Sequence, residues 1–305
     1  MSGTVLVTGG CGFIGANLVR RLLQDGRSVR ILDNLSAASG EYVDGLDIDL
    51  RVGDVLNLSD VIGAAEGCEA VIHLAASTSV LESVTDPARS FTANALGTFQ
   101  SLEGARRAGV PRFVFASSNA AIGNANPPLT EAIVPQPISP YGASKLAGEA
   151  FCSAYHGSFG MGTVALRFAN AYGPYSGHKT SVIAKMIGLM RAGEPLPVYG
   201  DGEQTRDYIF VEDIARAIAL ALDVDLNGRC LHIGSGVETT VLELIGKLGQ
   251  VAGLRPTVRL EPQPAGEIRR NFSGTDTAAS VLGFRARIGL EEGLRLTWEW
   301  FQQQA

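Results

Sequence analysis

A glycine-rich turn between a short apolar strand and a helix constrains the fold of this chain more than any other feature. The strand segment Val5-Leu6-Val7 leads into Thr8-Gly9-Gly10-Cys11-Gly12-Phe13-Ile14-Gly15, and a helical pattern of apolar residues begins at once. In such a turn the first glycine permits a tight bend, the second lets the backbone approach a pyrophosphate, and the third lets the helix pack on the strand. Because a helix N-terminus attracts anions, we predict a dinucleotide site with contacts at Gly9, Gly12, Phe13, Ile14 and Gly15.

The second strand of the pattern indicates which dinucleotide is bound. It leads to Asp33, and a carboxylate there accepts hydrogen bonds from the adenosine ribose hydroxyls and repels a 2′-phosphate, which favours NAD over NADP. Asp54 and Val55 follow the next strand and could flank the adenine, although an aspartate at such a place is also a common turn residue.

Short β-branched runs alternate with helical patterns through the first half of the chain. They are Thr4–Thr8, Ser28–Leu32, Ala70–Leu74, Arg112–Ser117 and Thr163–Phe168. Alternation of this kind implies right-handed crossovers and a parallel sheet covered on both faces. We therefore predict an α/β fold, a Rossmann-type doubly wound sheet with a smaller C-terminal substrate-binding domain.

The domain boundary is expected where proline and glycine breaks become frequent, after about Phe168. A helix and a strand at Val211–Leu222 and Cys230–Ile233 interrupt that region and are interpreted as a return to the main sheet. The predicted dinucleotide-binding domain is thus 1–168 plus 209–236, and the second, substrate-binding domain is predicted to be 169–208 plus 237–305.

A tyrosine and a lysine four positions apart predict the catalytic centre. Tyr141 and Lys145 lie just inside a helix that Pro140 begins, and residues i and i+4 share a helix face. A neighbouring ammonium lowers the pKa of a phenol from about 10, so we expect Lys145 to make Tyr141 a base near neutral pH. The pair is common by chance, but its position after the fifth strand of a Rossmann unit favours catalysis.

Two serines end that fifth strand, at the sheet edge where such folds bind ligands. A hydroxyl at this edge can hydrogen-bond the substrate hydroxyl that Tyr141 deprotonates. Ser118 is the preferred candidate, and Ser117 is either a second substrate contact or a residue that caps the strand.

Charge and cysteine content exclude several classes of function. A net charge of −6 argues against a nucleic-acid partner. The four cysteines lie far apart, which suggests neither a disulfide framework nor a metal site. No uninterrupted apolar stretch reaches the roughly 20 residues of a membrane span, and the first residues lack a signal-peptide pattern. We therefore expect a cytoplasmic protein without a membrane partner.

An ordered series of motifs resembles the extended short-chain dehydrogenase/reductases, and within them the NAD-dependent UDP-hexose 4-epimerases. The series covers almost the whole chain: TGGCGFIG at 8–15, Asp33-Asn34, Gly53-Asp54, HLAA at 73–76, NALGT with Asn94, SS at 117–118, YGASK at 141–145, RFANAYGP at 167–174 and YGDGEQTRDYIFVEDIARAI at 199–218.

The resemblance implies roles that the motifs alone do not establish. NAD would contact Asn34, Leu74, Ala75, Ala76, Asn94 and Lys145, with the three residues 74–76 on the nicotinamide side. The UDP-sugar would contact Asn170, Ser181, Val182, Tyr199 and Arg206, with Arg206 at its pyrophosphate, because a guanidinium donates two charge-assisted bonds to phosphate. A salt bridge of Arg206 with Asp207 or Glu203 is the alternative.

Two positions depart from many members of that family. Ile122 stands where they have tyrosine, and Pro264 stands where they have arginine before a late glycine–acid pair. The second departure suggests that Arg269 or Arg270 supplies the other phosphate contact.

The implied reaction is C4 epimerisation through a 4-keto sugar, with NAD regenerated. The motif typical of dehydratases and decarboxylating relatives has an acidic residue just after the fifth-strand serine or threonine. This chain instead has Ser118-Asn119-Ala120. Another NAD-dependent epimerase or dehydratase, or a non-catalytic NAD-binding regulator, is the alternative.

The loop after Gly173-Pro174 bears on the sugar, and two interpretations stay open. Lys179, or the hydroxyls of Thr180 and Ser181, could hold the carboxylate of UDP-glucuronate. If Lys179 instead points to solvent, UDP-glucose or UDP-galactose is the better expectation.

Apolar residues on more than one face of two helical segments predict self-association. The segments are Phe91–Ala108 and Tyr141–Tyr155, and the resemblance implies that they form a four-helix bundle in a homodimer.

Overall fold

The computed structural model describes residues 3–179, 181–263 and 268–304. Its strands are β1 Thr4–Thr8, β2 Ser28–Asp33, β3 Asp49–Val52, β4 Cys68–His73, β5 Arg112–Ser118, β6 Gly162–Phe168, β7 Asn170–Tyr172, β8 Leu196–Tyr199, β9 Thr205–Arg206, β10 Tyr208–Phe210, β11 Arg229–Ile233, β12 Thr239–Thr240 and β13 Val258–Glu261.

Its helices are α1 Phe13–Gln24, α2 Leu58–Ala65, α3 Val80–Thr85, α4 Pro87–Ser90, α5 Gly97–Arg107, α6 Pro140–Phe159, α7 Val182–Arg191, α8 Val211–Asp223, α9 Val241–Ala252, α10 Asp276–Leu282 and α11 Leu290–Gln303. Short 3-10 turns occupy Glu41–Val43 and Asn119–Ala121, and a π-helical turn, Phe91–Leu96, precedes α5.

Seven parallel strands form the central sheet in the order β3-β2-β1-β4-β5-β6-β11. Strand β1 lies inside the sheet between β2 and β4, and its Val5, Leu6 and Val7 are fully buried, as expected for a sheet covered on both faces. The predicted doubly wound α/β fold is confirmed. The predicted return to the sheet is confirmed as well, because β11 pairs with β6.

Helix α6 carries the predicted catalytic residues, and its ends are encoded locally. The Ser139 hydroxyl accepts a hydrogen bond from the Gly142 amide at 3.1 Å, and Pro140 occupies the first turn. Gly160 ends the helix with a left-handed φ of 67°. These signals place Tyr141 in the first turn, beside the end of β5.

A second apolar core lies outside the large sheet. Its fully buried members include Ile187, Leu196, Leu244, Leu248 and Leu294, which belong to α7, β8, α9 and α11. The parallel pair β8–β13 lies in the same region of the chain.

One part of the predicted domain boundary needs correction. Residues 237–305 were all assigned to the second domain, but Ala278, Leu282 and Phe284 join the core of the large sheet. Helix α10 therefore packs with the predicted NAD-binding part of the chain.

No helix in the described part of the chain is both long and apolar enough to cross a bilayer.

Candidate active site

The glycine turn between β1 and α1 is closely packed where glycine is needed. Gly9 has a left-handed φ of 69°, and a Cβ there would lie 2.7 Å from the Ala75 amide nitrogen. A Cβ on Gly15 would lie 2.5 Å from the Gly9 carbonyl oxygen. A Cβ on Gly12 would meet nothing nearer than that same oxygen, at 3.4 Å. The turn therefore keeps its open side at Gly12, next to the N-terminus of α1, as a pyrophosphate requires.

Asp33 stands beside this turn and is fixed by two backbone amides. Its carboxylate accepts hydrogen bonds from Cys11 at 3.0 Å and Leu35 at 2.9 Å. The Asn34 side chain donates to Asp54 at 3.0 Å, which brings the ends of β2 and β3 together. The geometry thus gathers Asp33, Asn34 and Asp54 at one edge of the sheet, where the sequence predicted the adenosine.

The loop after β4 passes directly over the turn. The Leu74 amide donates to the Thr8 carbonyl oxygen at 3.0 Å, and the Ala75 backbone touches Gly9. Asn94, from the π-helical turn, is buried and holds Ser77 of the loop through its side-chain oxygen at 2.8 Å and its nitrogen at 2.9 Å. Asn94 therefore fixes the position of this loop, and its contact with the cofactor stays a prediction.

Tyr141, Lys145 and Ser118 converge at the carboxyl edge of the sheet. The Lys145 ammonium lies 5.9 Å from the centroid of the Tyr141 ring and donates to the Ala116 carbonyl oxygen at 2.8 Å. Ser118 hydrogen-bonds Tyr141 through its side chain. Both Tyr141 and Lys145 are almost fully buried.

The charge state of this cluster differs from the expectation. Burial raises the pKa of Tyr141, and the hydrogen bond from Ser118 opposes that rise. Burial also lowers the pKa of Lys145 to about 8, while Glu149 acts to raise it and Lys179 to lower it. The prediction that Lys145 alone brings the phenol towards neutrality is therefore wrong, because desolvation dominates in this buried position.

A buried ion pair lies directly behind the catalytic residues. Arg167 of β6 binds both carboxylate oxygens of Glu149, at 2.8 and 2.7 Å. The same carboxylate accepts the Ser117 hydroxyl hydrogen bond at 2.5 Å. The prediction that Ser117 contacts the substrate is therefore wrong, since its side chain points to Glu149 on the side of β5 opposite to Ser118.

Two further polar groups hold the loops that border the cleft. His232 of β11 pairs its Nδ1 with the Asn119 side-chain oxygen at 2.8 Å, and Asn119 donates to the Ser273 hydroxyl at 2.9 Å. Asp207 is fully buried, and its carboxylate accepts hydrogen bonds from the Ser235 hydroxyl at 2.6 Å and the Ser273 amide at 3.2 Å. These contacts tie segments distant in sequence to the end of β5.

The other residues predicted for the substrate belong to the segments β7, α7 and β8. The side-chain amide of Asn170 donates to the Asp207 carbonyl oxygen at 3.1 Å. Val182 is the first residue of α7, and Ser181 precedes it. Tyr199 ends β8 and is partly exposed.

The arginines predicted for phosphate make contacts within the chain. Arg206 donates to the carbonyl oxygens of Thr205 at 2.7 Å and Ile268 at 2.9 Å. Arg269 binds Asp201 through two bonds of 2.7 and 2.9 Å, and Arg270 binds Glu238 through two bonds of 2.7 Å. These ion pairs are largely exposed, so solvent screens them and they add little to stability.

Lys179 has a hydrogen-bond partner within the chain, and its assignment to the sugar carboxylate stays a prediction. Its ammonium donates to the Thr78 hydroxyl at 2.7 Å, and burial lowers its pKa. Thr180 and the departure at Pro264, with the glycine–acid pair at 266–267, lie outside the described residues.

Several functional neighbours escaped the sequence reasoning. Glu149 follows Lys145 by four residues and so lies on the same helix face, which could have revealed it. Arg167, His232 and Asp207 gave no comparable signal, because their partners are distant in sequence.

A tyrosine, a lysine and a serine converging at the carboxyl edge of a Rossmann sheet are the arrangement of a short-chain dehydrogenase/reductase. The family model described as "NAD dependent epimerase/dehydratase family" matches residues 5–234. The chain belongs to that family, as the sequence resemblance predicted, and NAD is its cofactor.

Curated relatives include both kinds of enzyme named in that description. UDP-glucose 4-epimerase of Mycolicibacterium smegmatis is 34% identical over 310 residues, covering 98% of this chain and 99% of the relative. A dTDP-glucose 4,6-dehydratase of Streptomyces niveus is 34% identical over 312 residues, covering 98% and 92%. Overall identity therefore does not separate epimerase from dehydratase.

Solved structures match over nearly the full length. Thermotoga maritima UDP-glucose 4-epimerase with UDP-glucose superposes with a TM-score of 0.94 at 34% identity, covering 99% of both chains. Bacillus cereus UDP-glucuronic acid 4-epimerase, in complex with UDP-glucuronic acid and NAD, gives a TM-score of 0.92 at 27% identity, covering 99% of this chain and 100% of that one.

Proposed function

We propose that this enzyme is an NAD-dependent 4-epimerase of a UDP-hexose. The proposal rests on the Ser118–Tyr141–Lys145 cluster and on the residue after Ser118, which is Asn119 rather than an acid. The cluster provides proton transfer at a secondary hydroxyl, and NAD provides hydride transfer at the carbon that bears it.

The identity of residue 119 separates epimerase from dehydratase. Elimination of water from a 4-keto sugar needs an acid that protonates the leaving hydroxyl, and a carboxylic acid just after the fifth-strand serine or threonine would supply it. Here Asn119 cannot protonate a leaving group, and its amide is bonded to His232 and Ser273. Epimerisation needs no such acid, so the site favours it.

Each group in the site has a defined part in the reaction. The glycine turn and Asp33 would hold NAD⁺, which would supply acceptance and return of the hydride at C4. Tyr141 takes the proton from the C4 hydroxyl, and Ser118 hydrogen-bonds the same oxygen. Lys145 stabilises the phenolate and contacts the nicotinamide ribose. The 4-keto sugar turns over before reduction, which inverts C4 and leaves no net redox change.

The UDP group would lie between the two parts of the chain. Arg206 and Arg269 supply cations for its pyrophosphate, Asn170 holds the sugar end, and Ser181, Val182 and Tyr199 complete the wall. We divide the chain as 1–168 plus 209–236, joined by α10, and 169–208 plus the rest of 237–305. The cytoplasm is the proposed location.

The hexose remains one of two classes, neutral or acidic. A Lys179 ammonium that faces the sugar would favour UDP-glucuronate, while UDP-glucose and UDP-galactose need no cation. The second class of function, a non-catalytic NAD-binding regulator, is disfavoured by the intact catalytic cluster.

Incubation with UDP-glucose, UDP-galactose, UDP-glucuronate and UDP-galacturonate tests the proposal. We expect one neutral or one acidic pair to interconvert at C4 while absorbance at 340 nm stays flat. Tyr141→Phe is the matched inactive control. Appearance of a 4-keto-6-deoxy sugar would assign a dehydratase instead, and no conversion of any sugar nucleotide would favour the regulator.

We also propose a homodimer. Exposed apolar side chains cluster on the helices predicted to associate, with Phe91 62% exposed, Phe151 37% exposed and Leu81 of the adjoining α3 81% exposed. Such a patch is unusual on a monomer. Light scattering should give twice the chain mass, and a concentration-independent monomer would rule this out.

A further inference from the structure

Residues 173–179, called the strap below, are fastened on both sides of the predicted cofactor cleft. On one side, the Asn17 side chain of α1 donates to the Pro174 carbonyl oxygen at 3.1 Å. On the other side, Lys179 donates to Thr78 in the loop after β4, at 2.7 Å. A turn in which the Lys179 amide donates to the Ser176 carbonyl oxygen at 2.9 Å joins the two ends.

Aromatic rings hold the middle of the strap. Tyr175 has a left-handed φ of 65°, and its ring centroid lies 5.5 Å from that of Tyr42 and 5.5 Å from that of Trp300. The Arg20 guanidinium of α1 lies 4.2 Å from the Tyr175 centroid. Tyr42 follows β2 in the loop beyond Asp33, and Trp300 belongs to α11. These contacts, called the clasp below, join the strap to both ends of the chain.

The two attachments of the strap lie on elements next to the glycine turn. Asn17 is in the first turns of the helix that begins at the glycine turn, and the loop with Thr78 also contains Ala75, which touches Gly9. A segment fastened to α1 at one end and to that loop at the other therefore runs between two elements that border the glycine turn. That turn is the position of a dinucleotide pyrophosphate in this fold.

Lys179 places a cation at the end of the strap next to the loop after β4. Among the described residues its ammonium forms no ion pair with a carboxylate, and its hydrogen-bond partner is the neutral Thr78 hydroxyl. The charge of Lys179 lowers the pKa of Lys145, so the two ammonium groups repel each other. A partly buried ammonium close to a second ammonium is disfavoured until an anionic ligand neutralises it.

We propose that Lys179 is a cofactor-binding residue whose ammonium neutralises the NAD pyrophosphate, and that the clasp holds the strap closed so that NAD is retained between turnovers. The same lysine was considered above as a reader of the hexose carboxylate. The inference requires that the cleft bind NAD and does not depend on which sugar is the substrate.

The binding test uses protein freed of NAD and no sugar. Lys179→Met keeps the aliphatic stem and removes the charge, and Lys185→Met is the matched control because Lys185 is exposed on α7. Calorimetric titration with NAD should show a Kd about ten- to a hundredfold higher for Lys179→Met, the usual effect of losing a charge-assisted bond. Lys185→Met should match the wild type, and Lys179→Arg should recover much of the affinity because it restores the charge.

The clasp is tested by the rate of NAD release. Tyr42→Leu removes the ring contacts to Tyr175 and Trp300 while leaving Lys179 in place. After dilution into NAD-free buffer, released NAD measured by enzymatic cycling should appear several-fold faster from this variant than from the wild type.

Three results would overturn the proposal. An unchanged Kd for Lys179→Met together with a lowered preference for UDP-glucuronate over UDP-glucose would make Lys179 a sugar-binding residue. An unchanged Kd and an unchanged preference would give it no part in either site. Unchanged release from Tyr42→Leu would remove the clasp from cofactor retention. Failure of the epimerase assignment would leave all these NAD measurements intact.

Discussion

The buried pair of Glu149 and Arg167 should contribute strongly to stability, and Glu149→Gln is the sharpest perturbation of it. Both side chains are almost fully buried. The substitution keeps the size of the side chain but leaves the Arg167 guanidinium without a counter-charge. Removing one partner of a buried pair costs about 3–5 kcal/mol.

The expected shift in melting temperature follows from chain length. An unfolding entropy of about 2.1 cal/mol/K per residue gives roughly 0.6 kcal/mol/K for a chain of this size. The cost above therefore corresponds to a Tm lower by about 5–8 °C. Differential scanning calorimetry at a fixed saturating NAD concentration measures it, because bound ligand itself raises Tm.

Two further variants separate an unpaired charge from a loss of packing. In Glu149→Leu/Arg167→Met both charges are removed, and most of the lost stability should return. Glu212→Gln, on the exposed face of α8, should change the free energy of unfolding by less than about 1 kcal/mol. A double variant less stable than Glu149→Gln, or a Glu149→Gln Tm equal to that of the wild type, would refute the reasoning.

The other predictions concern the catalytic and cofactor residues. Tyr141→Phe should fall below about a tenth of wild-type activity with unchanged NAD affinity, because only the proton-transferring hydroxyl is lost. Lys145→Ala should reduce both activity and NAD affinity in calorimetry, since the ammonium serves the phenol and the ribose; a variant with wild-type affinity would limit its role to Tyr141. Gly15→Ala should cost about 1–3 kcal/mol in chemical denaturation, because its Cβ would lie 2.5 Å from the Gly9 carbonyl oxygen.

Local signals made the cofactor half of the site predictable. The glycine spacing, Asp33 and the Tyr141–Lys145 pair each depend on residues within one turn or one helix face, so sequence order alone gives their relation. The sequence did not reveal the physical environment of these residues to the same extent. The pKa of Tyr141 is set by burial under elements remote in sequence, which no local pattern reports.

Contacts between distant segments account for what sequence reasoning missed. Ser117 alternates with Ser118 along β5, and only the position of Glu149 shows that Ser117 faces away from the cleft. Lys179 donates a hydrogen bond to Thr78, which lies 101 residues away in the sequence. Asp207 joins Ser235 and Ser273, and neither partner is suggested by its own neighbours in sequence.

The fate of the hydrogen at C4 tests the central claim most directly. A UDP-hexose labelled with deuterium at C4, from the pair that the enzyme converts, is incubated in ordinary water, and the product is examined by NMR and mass spectrometry. The account predicts an inverted C4 that keeps its deuterium, since hydride leaves and returns to the same carbon without exchange with solvent. Deuterium found at C6, or replaced by solvent hydrogen at C4, would contradict transient oxidation followed by return of the hydride to C4.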